Sequence, residues 1–161
     1  MASLIFDSPV GLIEIKGTEE IISEAKFIEK APLPTLEKTP QLLMDAKRQL
    51  LEYFSGSRKL FDLPLLQEGT EFQQKVWKEL CKIPFGETIS YLELAKRLGD
   101  AKSIRAAGTA NGKNKIAIII PCHRVIGSDG SLTGYAGGIE RKDWLLRHEG
   151  GWPKSEQLSM F

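Results

Sequence analysis

A proline-rich segment, residues 31–40, places the strongest constraint on how this chain can fold. Its three prolines lack backbone hydrogen-bond donors and have a fixed φ, so the segment cannot continue a regular strand or helix. Before it, residues 3–6 and 11–16 are short apolar or alternating runs separated by turn residues, which predicts a β-hairpin, and residues 21–27 add another strand. After it, the apolar spacing becomes helical. We therefore expect a small antiparallel sheet followed by helices.

The first predicted helix begins at the end of this segment. Thr39 is typical of an N-cap and Pro40 of a first helical position. The residues that follow carry an apolar stripe at helical spacing, formed by Leu42, Leu43, Ala46, Leu50 and Phe54. Gly56 is expected to end the helix, and residues 57–69 are interpreted as a linker. Residues 1–69 are therefore predicted to form an α/β N-terminal domain, a small antiparallel sheet plus a helix.

Residues 70–150 are predicted to be mainly helical. Thr70 is expected to cap a helix over EFQQKVWKELCKI, and Ser90 a shorter helix over SYLELAKRLG. A third helix, AKSIRAAGTANG, follows after a brief turn, and the last helix is IERKDWLLRHEG. Two short helices joined through a glycine-containing turn are typical of a helix-turn-helix, whose second helix normally faces DNA. Residues 151–161 are expected to form a loose tail.

The charges are unevenly distributed along the chain, although the net charge of its 161 residues is only +1. Residues 1–69 hold 8 Lys and Arg against 11 Asp and Glu, a balance of −3, whereas residues 70–150 hold 13 against 9, a balance of +4. This asymmetry places any nucleic-acid surface in the second part of the chain.

Composition indicates a protein that folds around its own core in a reducing compartment. The hydrophobic content of 42% is adequate for a packed core. The beginning of the chain lacks the charged n-region of a signal peptide and the long apolar run of a membrane span. Two cysteines do not make a disulfide framework, so we expect a reduced protein of the cytoplasm, or of the nucleus if its source has one.

The stretch IIIPCHRVIG places a thiol beside an imidazole and a guanidinium, at Cys122, His123 and Arg124. A cysteine is nucleophilic as a thiolate, which nearby positive charge or a hydrogen-bonding base favours. An isolated cysteine is more often a small buried hydrophobe, and Cys81, on an apolar helix, fits that interpretation. From these residues alone, both interpretations of Cys122 stay open. No CxxC or HxxxH pair accompanies them, so we expect neither a metal site nor a cofactor.

A histidine that acts as a base needs a partner that orients its ring. Adjacent side chains of an extended segment point in different directions, so His123 would act on the Cys122 sulfur through a water molecule. Glu149, at the end of the last helix, is a candidate for holding the other ring nitrogen. The alternative is that Glu149 is a solvated residue at a helix end.

Six sequence blocks, taken together, point to a known family. TEFQQKVWKEL, IPFGETISYLELA, IRAAGTANGKN, IIPCHRVIG, GYAGG and LLRHEG occur in this order and resemble the O6-alkylguanine-DNA alkyltransferase family. The resemblance covers residues 70–150, whereas the N-terminal part matches the variable α/β domain of the family only in length and character. It implies a winged-helix-like DNA-binding domain that transfers an alkyl group, mainly methyl, irreversibly from O6-alkylguanine to Cys122. Weaker activity on O4-alkylthymine is also implied.

The resemblance assigns roles to individual residues. Cys122 would be the acceptor thiol, His123 the base that deprotonates it through a water molecule, and Glu149 the carboxylate that orients His123. The target nucleotide must be flipped out of the duplex. Arg105 matches the arginine that fills the resulting gap from the minor groove. Tyr91 matches the tyrosine that crowds the 3′ phosphate, and it is a candidate proton donor to the departing guanine.

Further implied positions lie on the recognition helix and in the segment after it. The small residues of the recognition helix would allow a close approach to the DNA backbone or would serve helix packing. They are Ala106, Ala107, Gly108 and Ala110. Arg124 is counted among the DNA contacts. Asn114 matches an asparagine that stabilises the turn after this helix. Lys115 stands where the family usually has proline, so that turn is looser or Lys115 adds a phosphate contact. The apolar residues 116–120 would be a buried rod that delivers Cys122 to the pocket.

The loop containing GYAGG is implied to form a lid over the guanine pocket. Tyr135 and Gly137 match this lid, and Ala136 stands where some relatives have serine, so backbone amides would replace a side-chain hydrogen bond to O6. The expected partner is double-stranded DNA carrying an alkylated guanine, bound by a monomer. Three alternatives are a protein that binds lesions without repairing them, a cysteine hydrolase, and a helix-turn-helix transcription protein.

Overall fold

The computed structural model of the chain describes residues 1–34 and 38–153. The proline-rich segment is irregular wherever it is described. Residues 35–37 of that segment, and residues 154–161 of the predicted tail, lie outside the described residues. Backbone contacts group the described residues into two compact units, the first formed by those of Met1–Glu68 with Lys115–Ile119 and the second by Gly69–Asn114 with residues 120–153.

The sheet of the first unit has three antiparallel strands, β1 (Ala2–Ser8), β2 (Gly11–Gly17) and β3 (Ile22–Ile28), paired in chain order. Phe6 lies opposite Ile13, and Ile15 lies opposite Ala25. All four side chains are buried, so one face of the sheet contributes to the core of this unit. The predicted hairpin and third strand are confirmed.

Helix α1 (Gln41–Phe54) packs against β1 and β2. The core residues of its stripe are confirmed, since Leu43, Ala46 and Leu50 are fully buried. The predicted start is wrong by one residue, because Pro40 is the N-cap and Thr39 precedes it. Pro40 has a φ of −57° but an extended ψ of 143°, and only its carbonyl takes part in the helix, accepting from the Leu43 amide at 3.1 Å.

Among the described residues, the second unit contains four α-helices and a two-stranded parallel sheet. They are α2 (Glu71–Leu80), β4 (Ile89–Ser90), α3 (Tyr91–Arg97), α4 (Ile104–Gly112), β5 (Val125–Ile126) and α5 (Ile139–Glu149). Both predicted caps are confirmed. Thr70 and Gln73 form a capping box, and the Ser90 hydroxyl accepts from the Glu93 amide at 3.0 Å.

Helices α3 and α4 form the predicted helix-turn-helix. Gly99, with a φ of +99°, and a short 3₁₀ turn, Ala101–Ser103, lie between them. Helix α4 packs against both α2 and α3. An α/β N-terminal part followed by a mainly helical part is therefore confirmed.

Two local predictions are wrong. Residues 116–120 are mostly buried but do not form a rod, because Ile118 has a φ of +69° and the Ile119 amide donates to the Ala117 carbonyl at 2.7 Å in a tight turn. Cys81 is exposed rather than buried, since it is the C-cap residue of α2, beyond the last apolar position of that helix.

Candidate active site

Cys122, His123 and Arg124 form one turn of 3₁₀ helix in the second unit. The Cys122 amide donates to the Ile120 carbonyl at 2.8 Å, and the Arg124 amide donates to the Pro121 carbonyl at 3.0 Å. The sequence had suggested that this segment is extended, and that prediction is wrong. Successive side chains of a 3₁₀ turn still point about 120° apart, so Cys122 and His123 are directed differently.

His123 is fully buried, and its imidazole is held by Glu149 at the end of α5. His123 Nε2 lies 2.8 Å from Glu149 Oε2, and both side chains are almost completely inaccessible. An ionised carboxylate only accepts hydrogen bonds, so Nε2 carries the proton and Nδ1 keeps its lone pair. Nδ1 is buried and has no hydrogen-bond partner among the described residues. The imidazole is thus oriented with a proton acceptor on the side away from the carboxylate.

Arg124 binds the same carboxylate. Its Nε donates to Glu149 Oε1 at 2.8 Å, and its second terminal nitrogen donates to Oε2 at 3.0 Å. The remaining nitrogen donates to the Ile83 carbonyl at 2.7 Å, and the guanidinium lies 5.9 Å from the ring centre of Phe85. Arg124 is 6% exposed. The prediction that Arg124 contacts DNA is therefore wrong, because its guanidinium is committed inside the protein.

The end of α5 is set by backbone packing. Gly150, with a φ of +83°, terminates the helix directly after Glu149. At Gly151 a Cβ atom would collide with the carbonyl oxygen of Gly86, in the loop that follows α2. The same loop region supplies the Ile83 carbonyl to Arg124. Glu149 is consequently a buried, fixed acceptor, and the alternative of a solvated helix end is wrong.

The charges of this cluster shift the ionisation of its members. Burial alone would raise the pKa of Glu149, but hydrogen bonds and charges from His123 and Arg124 outweigh it and lower the pKa from 4.5 to about 2. Burial also lowers the pKa of His123 below 6.5; the charges of Arg124 and Lys142 act in the same direction, and Glu149 opposes them. At neutral pH the cluster holds an ionised carboxylate and a neutral imidazole.

The Cys122 thiol lies in an apolar environment with two polar influences. Burial raises its pKa, while a hydrogen bond from the Asn114 side chain and the charge of Lys142 lower it. The net shift is upward, so the resting thiol is protonated. A neutral imidazole with a free lone pair beside a protonated thiol is the combination that general-base activation requires.

Lys142, on α5, is a site residue that the sequence analysis missed. It is fully buried, and its ammonium donates to the Val125 carbonyl at 2.7 Å and to the Thr133 carbonyl at 3.0 Å. Burial lowers its pKa from 10.5 to about 8, with Cys122 opposing. A lysine in a helix is normally exposed. The available signal was spacing, because Lys142 continues the buried stripe of Leu145, Leu146 and Glu149.

Tyr91 and the loop before α5 meet at the Thr133 carbonyl. The Tyr91 hydroxyl donates to this carbonyl at 3.1 Å, beside the bond from Lys142. Further along the loop, the Gly138 amide donates to the Tyr135 carbonyl at 3.0 Å, and Arg141 donates to the Gly137 carbonyl at 3.2 Å. Ala136 is exposed at the tip of this turn. The predicted lid residues therefore lie in one loop that Tyr91 and Lys142 tie down.

The small residues of α4 divide into two groups. Arg105 and Ala106 are exposed, and Gly108 lies beside the Tyr91 ring. Ala107 and Ala110 are buried instead, and the Ala110 carbonyl accepts a hydrogen bond from the Trp77 indole at 3.0 Å. Of the two alternatives given for these small residues, helix packing therefore applies to Ala107 and Ala110.

Asn114 and Lys115 form the turn after α4. The Asn114 side chain donates to the Ile120 carbonyl at 2.9 Å, bridging the turn to the segment just before Cys122. The Lys115 amide donates to the Gln67 side chain at 2.5 Å, and its carbonyl accepts from the Ala25 amide at 3.0 Å. A proline at 115 would lack that amide proton, so lysine here provides a hydrogen bond that the usual residue could not.

In the part of the chain that the structure describes, no group of three or more His, Cys, Asp or Glu side chains is arranged to hold a metal ion. Within the same residues, no helix has both the length and the apolar character to cross a membrane.

Comparison with protein families matches both parts of the chain. The model of the 6-O-methylguanine DNA methyltransferase DNA-binding domain matches residues 71–151, and the model of the ribonuclease-like domain of the same protein matches residues 2–67. Methylated-DNA–protein-cysteine methyltransferase of Methanosarcina acetivorans is 48% identical over 150 residues, which is 91% of this chain and 96% of the relative. The protein of the same name from Mycolicibacterium paratuberculosis is 43% identical over 146 residues, 89% of this chain and 88% of the relative.

Solved structures agree with these relatives. The crystal structure of Mycobacterium tuberculosis O6-methylguanine methyltransferase aligns with a TM-score of 0.83 and 41% identity, covering 99% of this chain and 98% of that one. A crystal structure of the M. tuberculosis protein in complex with DNA aligns with a TM-score of 0.82 and 45% identity, covering 91% and 92% of the two chains.

Proposed function

Because this chain belongs to the 6-O-methylguanine DNA methyltransferase family, we propose that it repairs DNA directly, by moving an alkyl group from O6 of guanine to Cys122. The main group is methyl, and O4-alkylthymine is a minor further substrate. The observation that carries the proposal is the buried hydrogen bond of His123 to Glu149, beside a cysteine on the same turn. It is the arrangement expected of an activated nucleophile.

The reaction begins with the protonated thiol of Cys122. His123 Nδ1 accepts the thiol proton through a water molecule, while Glu149 accepts from Nε2 and stabilises the imidazolium that forms. The thiolate then attacks the alkyl carbon, so that an S–C bond forms as the C–O6 bond breaks. The electron pair of the broken bond stays with the guanine, which takes up one proton. The products are S-alkylcysteine and unmodified guanine.

The protein acts once because the product bond is stable. A thioether sulfur is a poor leaving group, so the alkyl group stays on Cys122. Each molecule therefore repairs one base, and the protein itself is the final acceptor of the alkyl group.

DNA contacts in this proposal come from the second unit. The target nucleotide must leave the duplex to reach a sulfur inside the protein, at a cost of a few kcal/mol. The exposure of Arg105 on α4 supports its role in filling the gap from the minor groove. Tyr91 would press on the 3′ phosphate and give a proton to the leaving guanine, for which it must exchange its bond to the Thr133 carbonyl. Tyr135, Ala136 and Gly137 would then close over the base.

The proposal assigns these tasks to two domains. Residues 70–150 would carry DNA binding and chemistry, and residues 1–69 the variable α/β part, in line with the two family matches. The protein would work as a monomer in the cytoplasm, and relatives drawn from archaea and bacteria are in line with that compartment.

The proposal is tested by intact mass before and after incubation with a duplex containing one O6-methylguanine. Wild-type protein should gain the mass of one methylene group, located on the peptide that contains Cys122, and the duplex should regain guanine. Cys122→Ser should gain nothing. Cys81→Ser is the matched control, because Cys81 is the other free cysteine and is exposed; it should be methylated like wild type.

Each alternative function predicts a different outcome of this experiment. A protein that binds lesions without repair would retain the duplex and show no mass gain. A cysteine hydrolase would turn over ester or peptide substrates repeatedly, and a transcription protein would be unaffected by Cys122→Ser. Any of these results would refute the transfer of an alkyl group to Cys122.

A further inference from the structure

Arg124 occupies an unusual position for a residue next to a nucleophile. Each of its three guanidinium nitrogens donates a hydrogen bond inside the protein, two of them to Glu149. The Glu149 carboxylate is thereby shared between a guanidinium and the His123 imidazole, all of them buried. The three groups form one charge cluster, and the protonation of any member depends on the other two.

The cluster is electrically balanced only while His123 is neutral. Glu149 contributes one negative charge and Arg124 one positive charge, so an imidazolium at His123 would leave a net positive charge in a buried site, which is costly. Without Arg124, the guanidinium charge would no longer offset the charge of the carboxylate that faces the imidazole. A buried carboxylate hydrogen-bonded to an imidazole favours the protonated ring. A protonated His123 has no lone pair with which to take a proton from Cys122.

We propose that Arg124 is a positioning residue that neutralises Glu149, so that His123 stays uncharged and able to accept the proton of Cys122. This inference rests on the proposed alkyl transfer and adds to it the residue that controls the charge of the base. The Arg124 guanidinium also fixes the carboxylate by two parallel hydrogen bonds, which keeps Oε2 aimed at His123 Nε2.

Other ionisable groups surround the cluster and set the background against which Arg124 acts. They are Cys122 on the same turn, Lys142 on α5, Tyr135 in the loop before α5 and Cys81 at the end of α2. Lys142 acts on His123 in the same direction as Arg124. Arg124 both bonds directly to Glu149 and carries a charge that acts on His123.

The test is the pH dependence of the single-turnover rate of methyl transfer by the full chain to Cys122. Wild type should lose rate on acidification only below pH 6.5, since burial and Arg124 hold the pKa of His123 beneath that value. In Arg124→Met this acid limb should move upward by about one pH unit or more, which is a loss of about tenfold or more at pH values below the limb. The rate should recover at alkaline pH. Arg147→Met, an exposed arginine of α5 that pairs with Asp143, is the control and should keep the wild-type limb.

Two further variants separate charge balance from simple structural support. Arg124→Lys keeps the positive charge and should bring the limb back close to wild type. Arg124→Met combined with Glu149→Gln removes both charges, and it should also restore the wild-type limb, although its rate will be lower at every pH. If Arg124→Met fails to fold, these two variants still test the role of charge balance, since each must show the acid limb of wild type.

The result that would overturn the inference is an equal loss of rate at all pH values in Arg124→Met, or an upshifted limb in the double variant. The NMR titration of the His123 ring gives a readout that does not depend on methyl transfer. Its pKa should rise in Arg124→Met and return in the double variant. Should wild type transfer no methyl group at any pH, the proposed function fails, while this titration still decides the role of Arg124.

Discussion

Acidification should weaken the second unit through the ionisation of the Glu149 side chain. Its pKa is about 2 in the folded protein and 4.5 when unperturbed. A carboxyl group with a lowered folded-state pKa contributes stability that is complete above pH 4.5 and is lost as the pH falls towards 2. A pKa difference of about 2.5 corresponds to about 3 kcal/mol of unfolding free energy. The side chain is only 1% exposed, so solvent screening does not reduce this figure.

The perturbation is Glu149→Gln, compared with wild type in urea titrations between pH 7 and about pH 3. Tryptophan fluorescence is the appropriate signal, because the three tryptophans, Trp77, Trp144 and Trp152, all lie in the second unit. At pH 7 the variant should be less stable by about 3 kcal/mol, since Arg124 loses its buried counter-charge. The gap should narrow as the pH falls below 4.5, where the wild-type carboxylate starts to lose its advantage.

The control is Glu140→Gln, in the exposed first turn of the same helix, which should follow wild type at every pH. His123 adds to the acid sensitivity of wild type and of Glu149→Gln, because its pKa is lowered in the folded protein. As the pH falls below 6.5, the unfolded chain is protonated at His123 before the folded protein is, which favours unfolding. A gap between wild type and Glu149→Gln that stays constant down to pH 3 would refute the assignment of this stability to the Glu149 carboxylate.

Two further predictions concern buried donors. Lys142→Met should lower the methyl-transfer rate about tenfold at neutral pH, because Lys142 lowers the pKa of the Cys122 thiol and its loss leaves less thiolate. Exposed Lys113→Met is the control, and an unchanged single-turnover rate in Lys142→Met would contradict the electrostatic role. Trp77→Phe should lower the unfolding free energy by about 1 kcal/mol, since the Ala110 carbonyl loses its indole donor. Urea titration followed by circular dichroism measures this loss, and equal stability would show that the hydrogen bond contributes nothing.

The helices and strands could be predicted because their signals are local. Thr70 and Ser90 mark the starts of α2 and α3, because their hydroxyl oxygens accept hydrogen bonds from the amides three residues further along the chain. The turn at Ile118 could not be foreseen, because a β-branched residue with a φ of +69° contradicts its own local preference and is held there by packing.

The site was only partly predictable for a different reason. Neither spacing nor composition joins His123 to Glu149, which lie 26 residues apart. The need of His123 for an orienting partner made Glu149 one candidate, and the resemblance to a known family then assigned it that role. Arg124 was predicted to contact DNA because a basic side chain beside a nucleophile in a DNA-binding family suggests a phosphate contact. Its burial depends on Glu149 and Ile83, which are distant in sequence.

Gly151 has no side chain that could take part in the reaction, but its close contact with Gly86 makes it essential for repair. Any side chain at position 151 would push the C-terminal end of α5 away from the loop after α2. That end of the helix carries Glu149, the carboxylate that orients His123. Inactivating substitutions in such a protein should therefore cluster in two places: the surface that meets damaged DNA, and a glycine seam behind the nucleophile that no substrate ever touches.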